Sequence, residues 1–119
     1  MSKAVKIYHN PRCSKSRETL NLLQSHGVEP EVVLYLETPA DAATLRQLLK
    51  MLGMESAREL MRRKEDLYAS LNLADSSLSE DELIQAMVEH PKLMERPIVV
   101  ANSQARIGRP PEHVLEIIG

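Results

Sequence analysis

The sequence contains no Trp or Phe, three Tyr, four Gly and a single Cys among 119 residues. With so few aromatic side chains, a platform for stacking nucleic-acid bases is hardly available. One cysteine excludes an intramolecular disulfide and, with no signal-peptide pattern before it, indicates the reducing cytosol. No window approaches the roughly 18 apolar residues of a membrane span, and the net charge of −2 gives no reason to expect nucleic acid or a membrane as partner.

The remaining composition is typical of a soluble globular protein, with 43% hydrophobic and 27% charged residues. A chain of this length can bury its own core, and it has no repeat, low-complexity tract or long linker. The four histidines are scattered without metal-ligand spacing, and no glycine-rich phosphate-binding motif is present. We therefore expect one domain over residues 1–119, a cytoplasmic monomer with neither a metal ion nor a bound cofactor.

The hydrophobic pattern predicts an α/β fold in the order β-α-β, several helices, then β-β-α. The first elements are a strand over Lys3–Tyr8, a helix over Ser14–His26 ended by Gly27, and a parallel strand over Glu31–Tyr35. Four helices are predicted in the middle of the chain. The first begins with a Thr38 cap and Pro39 and ends at Gly53, and the next two cover Ser56–Lys64 and Asp66–Leu71. The fourth begins at the Ser79/Glu82 capping box and stops before Pro91. The last elements are a strand over Arg96–Ala101, a turn at Asn102-Ser103, a strand over Ala105–Gly108 and a helix from Pro110-Pro111.

Cys13 lies in the run His9-Asn10-Pro11-Arg12-Cys13-Ser14-Lys15-Ser16-Arg17, between a strand and the first turn of a helix. The free N–H groups and the partial positive charge of a helix start favour a thiolate there. A small buried hydrophobic residue is the alternative role for Cys13, but a setting of cations after a proline turn favours a nucleophile. Ser14 and Ser16 either donate to an anion or simply cap the helix. Because Ser16 replaces the second cysteine of a C-x-x-C motif, the chain cannot resolve its own mixed disulfide.

Several arginines are candidates for binding an oxyanion, since a guanidinium group can donate two parallel hydrogen bonds. Arg58, Arg62 and Arg63 fall on one predicted helix, with the first two on the same face. Arg96 precedes Pro97 at a strand entrance, and Arg109 follows the last strand. Taken singly, each of them is better explained as a solvated or ion-paired side chain.

Five runs of sequence resemble the glutaredoxin-coupled arsenate reductase family, in family order and across nearly the whole chain. They are I-Y-H-N-P-R-C-S-K-S-R, against a family pattern Y-x-x-P-x-C-x-x-S-R, then E-P-E-V-V-L-Y-L-E-T-P, R-E-L-M-R-R, L-M-E-R-P-I-V-V and A-R-I-G-R-P-P-E. The resemblance implies a thioredoxin/glutaredoxin-like mixed sheet with a helical insertion at about 39–92. It also implies reduction of arsenate to arsenite through a covalent Cys13 adduct, with glutathione as co-substrate and glutaredoxin as protein partner.

The resemblance carries the family's functional residues onto particular positions. It assigns binding of arsenate or a similar oxyanion to Arg62, Arg96 and Arg109. It assigns support of an ionised Cys13 to His9 and Ser16, and it implies a cis peptide bond before Pro97.

Two other functions stay open. Ser14-Lys15 stands where reductases proven in resistance often carry Gly-Thr, and the chain ends soon after the last helix. A thiol-dependent reductase or deglutathionylase with another substrate is therefore one alternative. The other is a non-catalytic binding module, resembling transcription regulators of the same fold that dock on RNA polymerase. Such regulators usually keep a C-x-x-C switch, which Ser16 removes.

Overall fold

A computed structural model describes residues 5–118 of the chain. The strands are β1 (Val5–Tyr8), β2 (Glu31–Val33), β3 (Ile98–Ala101) and β4 (Gln104–Ile107). The α-helices are α1 (Ser14–Ser25), α2 (Ala42–Leu52), α3 (Asp66–Ser70), α4 (Glu80–Glu89) and α5 (Leu115–Ile118). Short 3-10 helices cover Ala57–Leu60, Pro91–Leu93 and Pro111–Val114. The first two residues of the predicted Lys3–Tyr8 strand lie outside the described residues.

The chain divides into two compact units. The first unit joins the residues up to Thr38 to those from Arg96 onward, and the second unit is Pro39–Glu95. The helical insertion expected at about 39–92 falls inside the second unit, while one domain over the whole chain stays a prediction. No helix within residues 5–118 is long and apolar enough to cross a membrane.

The four described strands form a mixed sheet in the order β2-β1-β3-β4. β1 and β2 are parallel, as expected for two strands joined by one helix. β3 is antiparallel to β1, and β4 is antiparallel to β3. One edge of the sheet therefore carries the carboxyl ends of β1, β2 and β4 together with the amino end of β3. These findings confirm the predicted α/β class and mixed sheet.

Helix α1 packs against the sheet of the first unit through its apolar side. Leu23 is fully buried there, and burial of such a side chain contributes about 2 kcal/mol. The helix ends at Gly27, whose φ of +76° is left-handed and favours glycine. The core around Leu23 contains Val5, Ile7, Val99, Ala101, Val114 and Ile117, with Leu20, Leu22, Val28 and Ile118 partly buried against it.

The turn between β3 and β4 is the predicted one. Asn102 and Ser103 have φ values of 54° and 62°, as a two-residue type I′ hairpin requires. This turn pairs Ala101 with Gln104, so β4 begins one residue before the predicted Ala105. The Asn102 side chain donates to the Ile117 carbonyl at 2.6 Å, which ties the hairpin to the last helix.

Strand β2 is shorter than the predicted Glu31–Tyr35. It ends at Val33 because the Leu34 carbonyl accepts hydrogen bonds from the N–H groups of Glu37, at 2.9 Å, and Thr38, at 2.8 Å. This closed turn follows the strand directly. Thr38 therefore belongs to the turn and, contrary to the prediction, does not cap the following helix.

Helix α2 of the second unit is capped by Asp41, whose carboxylate accepts the N–H of Thr44 at 2.8 Å. Thr38 and Pro39 were expected at the cap and first helical positions, and that prediction is wrong. Asp41 displaces them because its side chain satisfies a free N–H group of the first turn. The Ser79/Glu82 capping box of α4 is present as predicted.

The predicted Ser56–Lys64 helix is reduced to the 3-10 turn Ala57–Leu60. It stops because Met61 forms an antiparallel bridge with Met94, and because the N–H of Arg62 donates to the Leu93 carbonyl at 2.7 Å. Arg62 and Arg63 thus lie beyond the helix, and the shared helical face expected for Arg58 and Arg62 is wrong. The Arg58 guanidinium donates instead to the carbonyls of Leu73 and Asp75, each at 3.0 Å.

Gly108 marks a close approach between the end of β4, helix α1 and the residue before β3. A Cβ at this position would lie 2.4 Å from Oγ1 of Thr19 and 2.9 Å from Cγ of Pro97. Thr19 is fully buried and donates to the Lys15 carbonyl at 2.8 Å. The N–H of Gly108 donates to the Pro97 carbonyl at 2.9 Å. Only glycine leaves room for these three segments to touch.

Substitution Gly108→Ala should lower the free energy of unfolding by about 1–3 kcal/mol, since the new methyl group overlaps Thr19 and Pro97. Urea denaturation of Gly108→Ala, Thr19→Ala and the double variant measures this effect. We expect the double variant to lose less than the sum of the single losses, because removal of Oγ1 relieves the overlap. Simple additivity would contradict the steric explanation.

Candidate active site

Cys13 occupies the N-cap position of α1, with φ −93° and ψ 123°. Its N–H donates to the Asn10 carbonyl at 3.0 Å, and its carbonyl accepts the N–H of Arg17 at 3.0 Å. The residue is 9% exposed. The turn after β1 therefore holds the sulfur at the start of the helix, where the backbone N–H groups are not used by helical hydrogen bonds.

The environment of Cys13 favours its thiolate. Burial is the largest influence and raises the pKa of the thiol. It is outweighed by the backbone N–H of Ser16, the charge of Arg96, the N–H of Lys15 and the charge of Arg109, so that the pKa of Cys13 lies below its ordinary value. An ionised sulfur is the nucleophilic form of cysteine.

Arg109 and Arg96 lie close to this sulfur although they come from the far end of the chain. Nη2 of Arg109 is 3.6 Å from Sγ of Cys13. Its Nε donates to the Arg96 carbonyl at 2.8 Å, which fixes the orientation of the guanidinium group. Arg96 is half-buried just before Pro97 and β3. The sheet edge defined above brings both arginines to the carboxyl end of β1.

His9 and Ser16 form a buried pair beside the turn, with 2.6 Å between Nδ1 and the hydroxyl oxygen. The same hydroxyl accepts the N–H of Asn10 at 3.0 Å. Burial, and secondly the charge of Arg17, lower the pKa of His9 and favour its neutral form. The Ser16 side chain thus secures the turn, while its backbone N–H serves Cys13. Ser14 is exposed at the first position of α1.

Arg62 belongs to the second unit. Its Nη1 lies 3.3 Å from Oε2 of Glu65, in a half-buried ion pair. Its assignment to the oxyanion site stays a prediction.

The peptide bond between Arg96 and Pro97 is cis, and the prediction is confirmed. The bond between Arg109 and Pro110 is also cis, which the sequence reasoning did not foresee. The contact of Thr19 with Gly108 was not predicted either, and the scarcity of glycine in the sequence was the one available signal for it.

Among residues 5–118, no three His, Cys, Asp or Glu side chains are grouped to hold a metal ion.

A family model described as "ArsC family" matches residues 8–117. The chain belongs to the ArsC family. It is 84% identical to the uncharacterized protein YfgD of Escherichia coli K12, over 100% of both chains. It is 51% identical to an arsenate reductase of Haemophilus influenzae, over 97% of this chain and 99% of the relative.

A solved ArsC family structure, the arsenate reductase from Vibrio cholerae, superposes with a TM-score of 0.96 at 59% identity, covering 98% of this chain and 99% of that one. The resemblance drawn from the sequence is thereby confirmed, and with it the thioredoxin-like fold class.

The pKa of Cys13 should be measurable as the midpoint of iodoacetamide alkylation against pH. We expect it below the value of about 8.5 for a free cysteine. Arg109→Gln should raise it, because a positive charge 3.6 Å from the sulfur is lost. Arg106→Gln is the matched control, since Arg106 lies on β4 three residues before Arg109 but pairs with Glu116 at 2.9 Å. Equal midpoints in the two variants would contradict the assignment.

Proposed function

We propose that this ArsC family member reduces arsenate to arsenite in the cytoplasm, with Cys13 as nucleophile and glutathione and glutaredoxin as the source of electrons. The observation that carries the proposal is the contact of 3.6 Å between the Cys13 sulfur and the Arg109 guanidinium, at a thiol whose pKa is lowered. The relatives named arsenate reductase support arsenate as the substrate.

The arginines bind the oxyanion in this proposal. Nε of Arg109 donates to the Arg96 carbonyl, while Nη2 lies 3.6 Å from the Cys13 sulfur and can donate to an arsenate oxygen. Arg96 adds positive charge, and Arg62 is proposed as the third arginine. These charges lower the energy of an anion approaching a thiolate.

The first step is attack of the Cys13 thiolate on arsenic(V). A sulfur–arsenic bond forms, and one arsenate oxygen leaves as hydroxide, which takes a proton from solvent to become water. Arsenic keeps its oxidation state in this step. The low pKa of Cys13 supplies the thiolate without a separate general base.

Reduction takes place in the second step. A glutathione thiolate attacks Sγ of Cys13 and forms a disulfide, and the electron pair of the sulfur–arsenic bond passes to arsenic. Arsenic(V) becomes arsenic(III) and leaves as arsenite, while the two sulfurs are oxidised. A glutaredoxin thiolate then attacks the glutathione sulfur and releases the Cys13 thiolate. The chain cannot perform this last step itself, because Cys13 is its only cysteine.

The test is NADPH oxidation by purified protein with glutathione reductase, glutathione, glutaredoxin and arsenate. We expect an arsenate-dependent rate that Cys13→Ser abolishes. When glutathione is omitted, each enzyme should form one Cys13–arsenic adduct and then stop. No arsenate-dependent rate at millimolar arsenate would favour another substrate, and a glutathionylated peptide in the same assay then tests the deglutathionylase alternative. Multiple turnovers with thioredoxin and its reductase alone would contradict the glutathione scheme.

Arg109→Lys separates charge from geometry. Lysine keeps the positive charge but cannot hold the Arg96 carbonyl and donate to arsenate at the same time. We expect kcat/KM for arsenate to fall about 10- to 100-fold, as for loss of charge-assisted hydrogen bonds. Arg106→Lys is the control and should behave as wild type. Full activity of Arg109→Lys would show that charge alone suffices.

A further inference from the structure

We infer that a cavity beside the turn before Cys13 binds glutathione, so that the reducing thiol and arsenate reach the sulfur from opposite sides. The inference rests on the proposed function and adds a binding site to it. The cavity has a volume of about 370 Å³ and is lined by residues 9–12 and by Leu34, Leu36 and Glu37. This volume falls in the range of small-molecule sites, about 300–1,000 Å³.

The walls of the cavity include unusually exposed apolar side chains. Leu34 is 36% exposed and Leu36 is 38% exposed, and Val32, which lies on the same segment outside the cavity, is 42% exposed. Among residues 5–118 the only other large apolar side chain with this exposure is Leu71. A pair of exposed leucines beside the turn that leads to Cys13 indicates a surface that a ligand covers.

The charges at the cavity match those of glutathione, a peptide with two carboxylates and one ammonium group. Arg12 and Glu37 are both exposed, and within residues 5–118 the side chain of neither forms an ion pair or a hydrogen bond. Arg12 can pair with a carboxylate of the peptide, and Glu37 can pair with its ammonium group. Arsenate fits this cavity poorly, because the Glu37 carboxylate repels a multiply charged anion and the two leucines offer it no hydrogen bond.

The sheet order places this cavity and the arginines on different sides of the nucleophile. Leu34, Leu36 and Glu37 follow β2, which neighbours β1 on one side. Arg96 and Arg109 lie at the ends of β3 and β4, on the other side of β1. Cys13 follows β1 itself. Thiol exchange requires the attacking sulfur, the attacked sulfur and the leaving atom to lie in line. Glutathione that enters from the β2 side approaches Cys13 from the side away from the arginines, as an in-line attack on a sulfur–arsenic bond needs.

Reaction of Cys13 with oxidised glutathione tests the cavity without arsenate. The Cys13 thiolate attacks one sulfur of the disulfide, forming the protein–glutathione disulfide and releasing a glutathione thiolate. We expect Arg12→Gln, Glu37→Gln and Leu36→Glu each to slow this reaction about 3- to 10-fold, as for loss of one contact to a charged or apolar group. Their reaction with the uncharged 4,4′-dithiodipyridine should stay at the wild-type rate.

Two matched variants control for general effects. Val32→Glu introduces a charge on the same segment outside the cavity, and Glu29→Gln removes an exposed carboxylate elsewhere in the first unit. Both should react with oxidised glutathione like wild type. S-methylglutathione, which cannot react, should shift the amide NMR signals of residues 9, 10, 12 and 34–37 in the wild-type protein.

The outcomes separate this inference from the proposed function. Slow cavity variants in a protein that does not reduce arsenate would support the cavity and overturn the function. Arsenate turnover with cavity variants that react like the controls would support the function and overturn the cavity. Unchanged reaction with oxidised glutathione, combined with a raised KM for glutaredoxin, would also overturn the inference, because the surface would then belong to the protein partner.

Discussion

Cys13 is 9% exposed, so ionisation of its thiol requires the protein to replace most of the lost hydration with its own donors and charges. Two kinds of replacement meet at Cys13. The N–H groups of Lys15 and Ser16 come from the same helix turn, and the charges of Arg96 and Arg109 come from the other end of the chain. These groups are kept in place by the turn after β1, by the buried His9–Ser16 pair and by the close contact of Gly108 with Thr19 of α1.

The mixed sheet solves the problem of bringing distant residues to one sulfur. Because β3 runs against its neighbours, its first residue lies at the same edge as the last residues of the other strands. Arg96 and Arg109 are adjacent for that reason, and one binds the carbonyl of the other. The same edge also carries the leucines after β2. In our proposal, arsenate and glutathione therefore approach Cys13 from separate sides.

Local signals in the sequence were sufficient for much of this structure. The position of Cys13 between a strand and a helix, the Gly27 end of that helix and the capping box at Ser79 depend on neighbouring residues alone, and all were predicted. Arg62 was placed on a helix because its spacing is helical, but a bridge to a strand-like segment 33 residues away ends that helix at Met61. Such long-range hydrogen bonds leave no periodic pattern in the sequence. The close contact of Thr19 with Gly108 leaves none either.

The wide separation of the two halves of the first unit has a consequence for biosynthesis. Cys13 leaves the ribosome with its helix-start amides nearby, but the Arg109 guanidinium lies 96 residues later in the chain. At about 5–20 residues per second, several seconds pass before that charge is added. The nascent cysteine therefore lacks two of the charges that lower the pKa of Cys13 in the folded protein. Its thiol reaches that acidity only after the chain has been made as far as Arg109 and the first unit has folded.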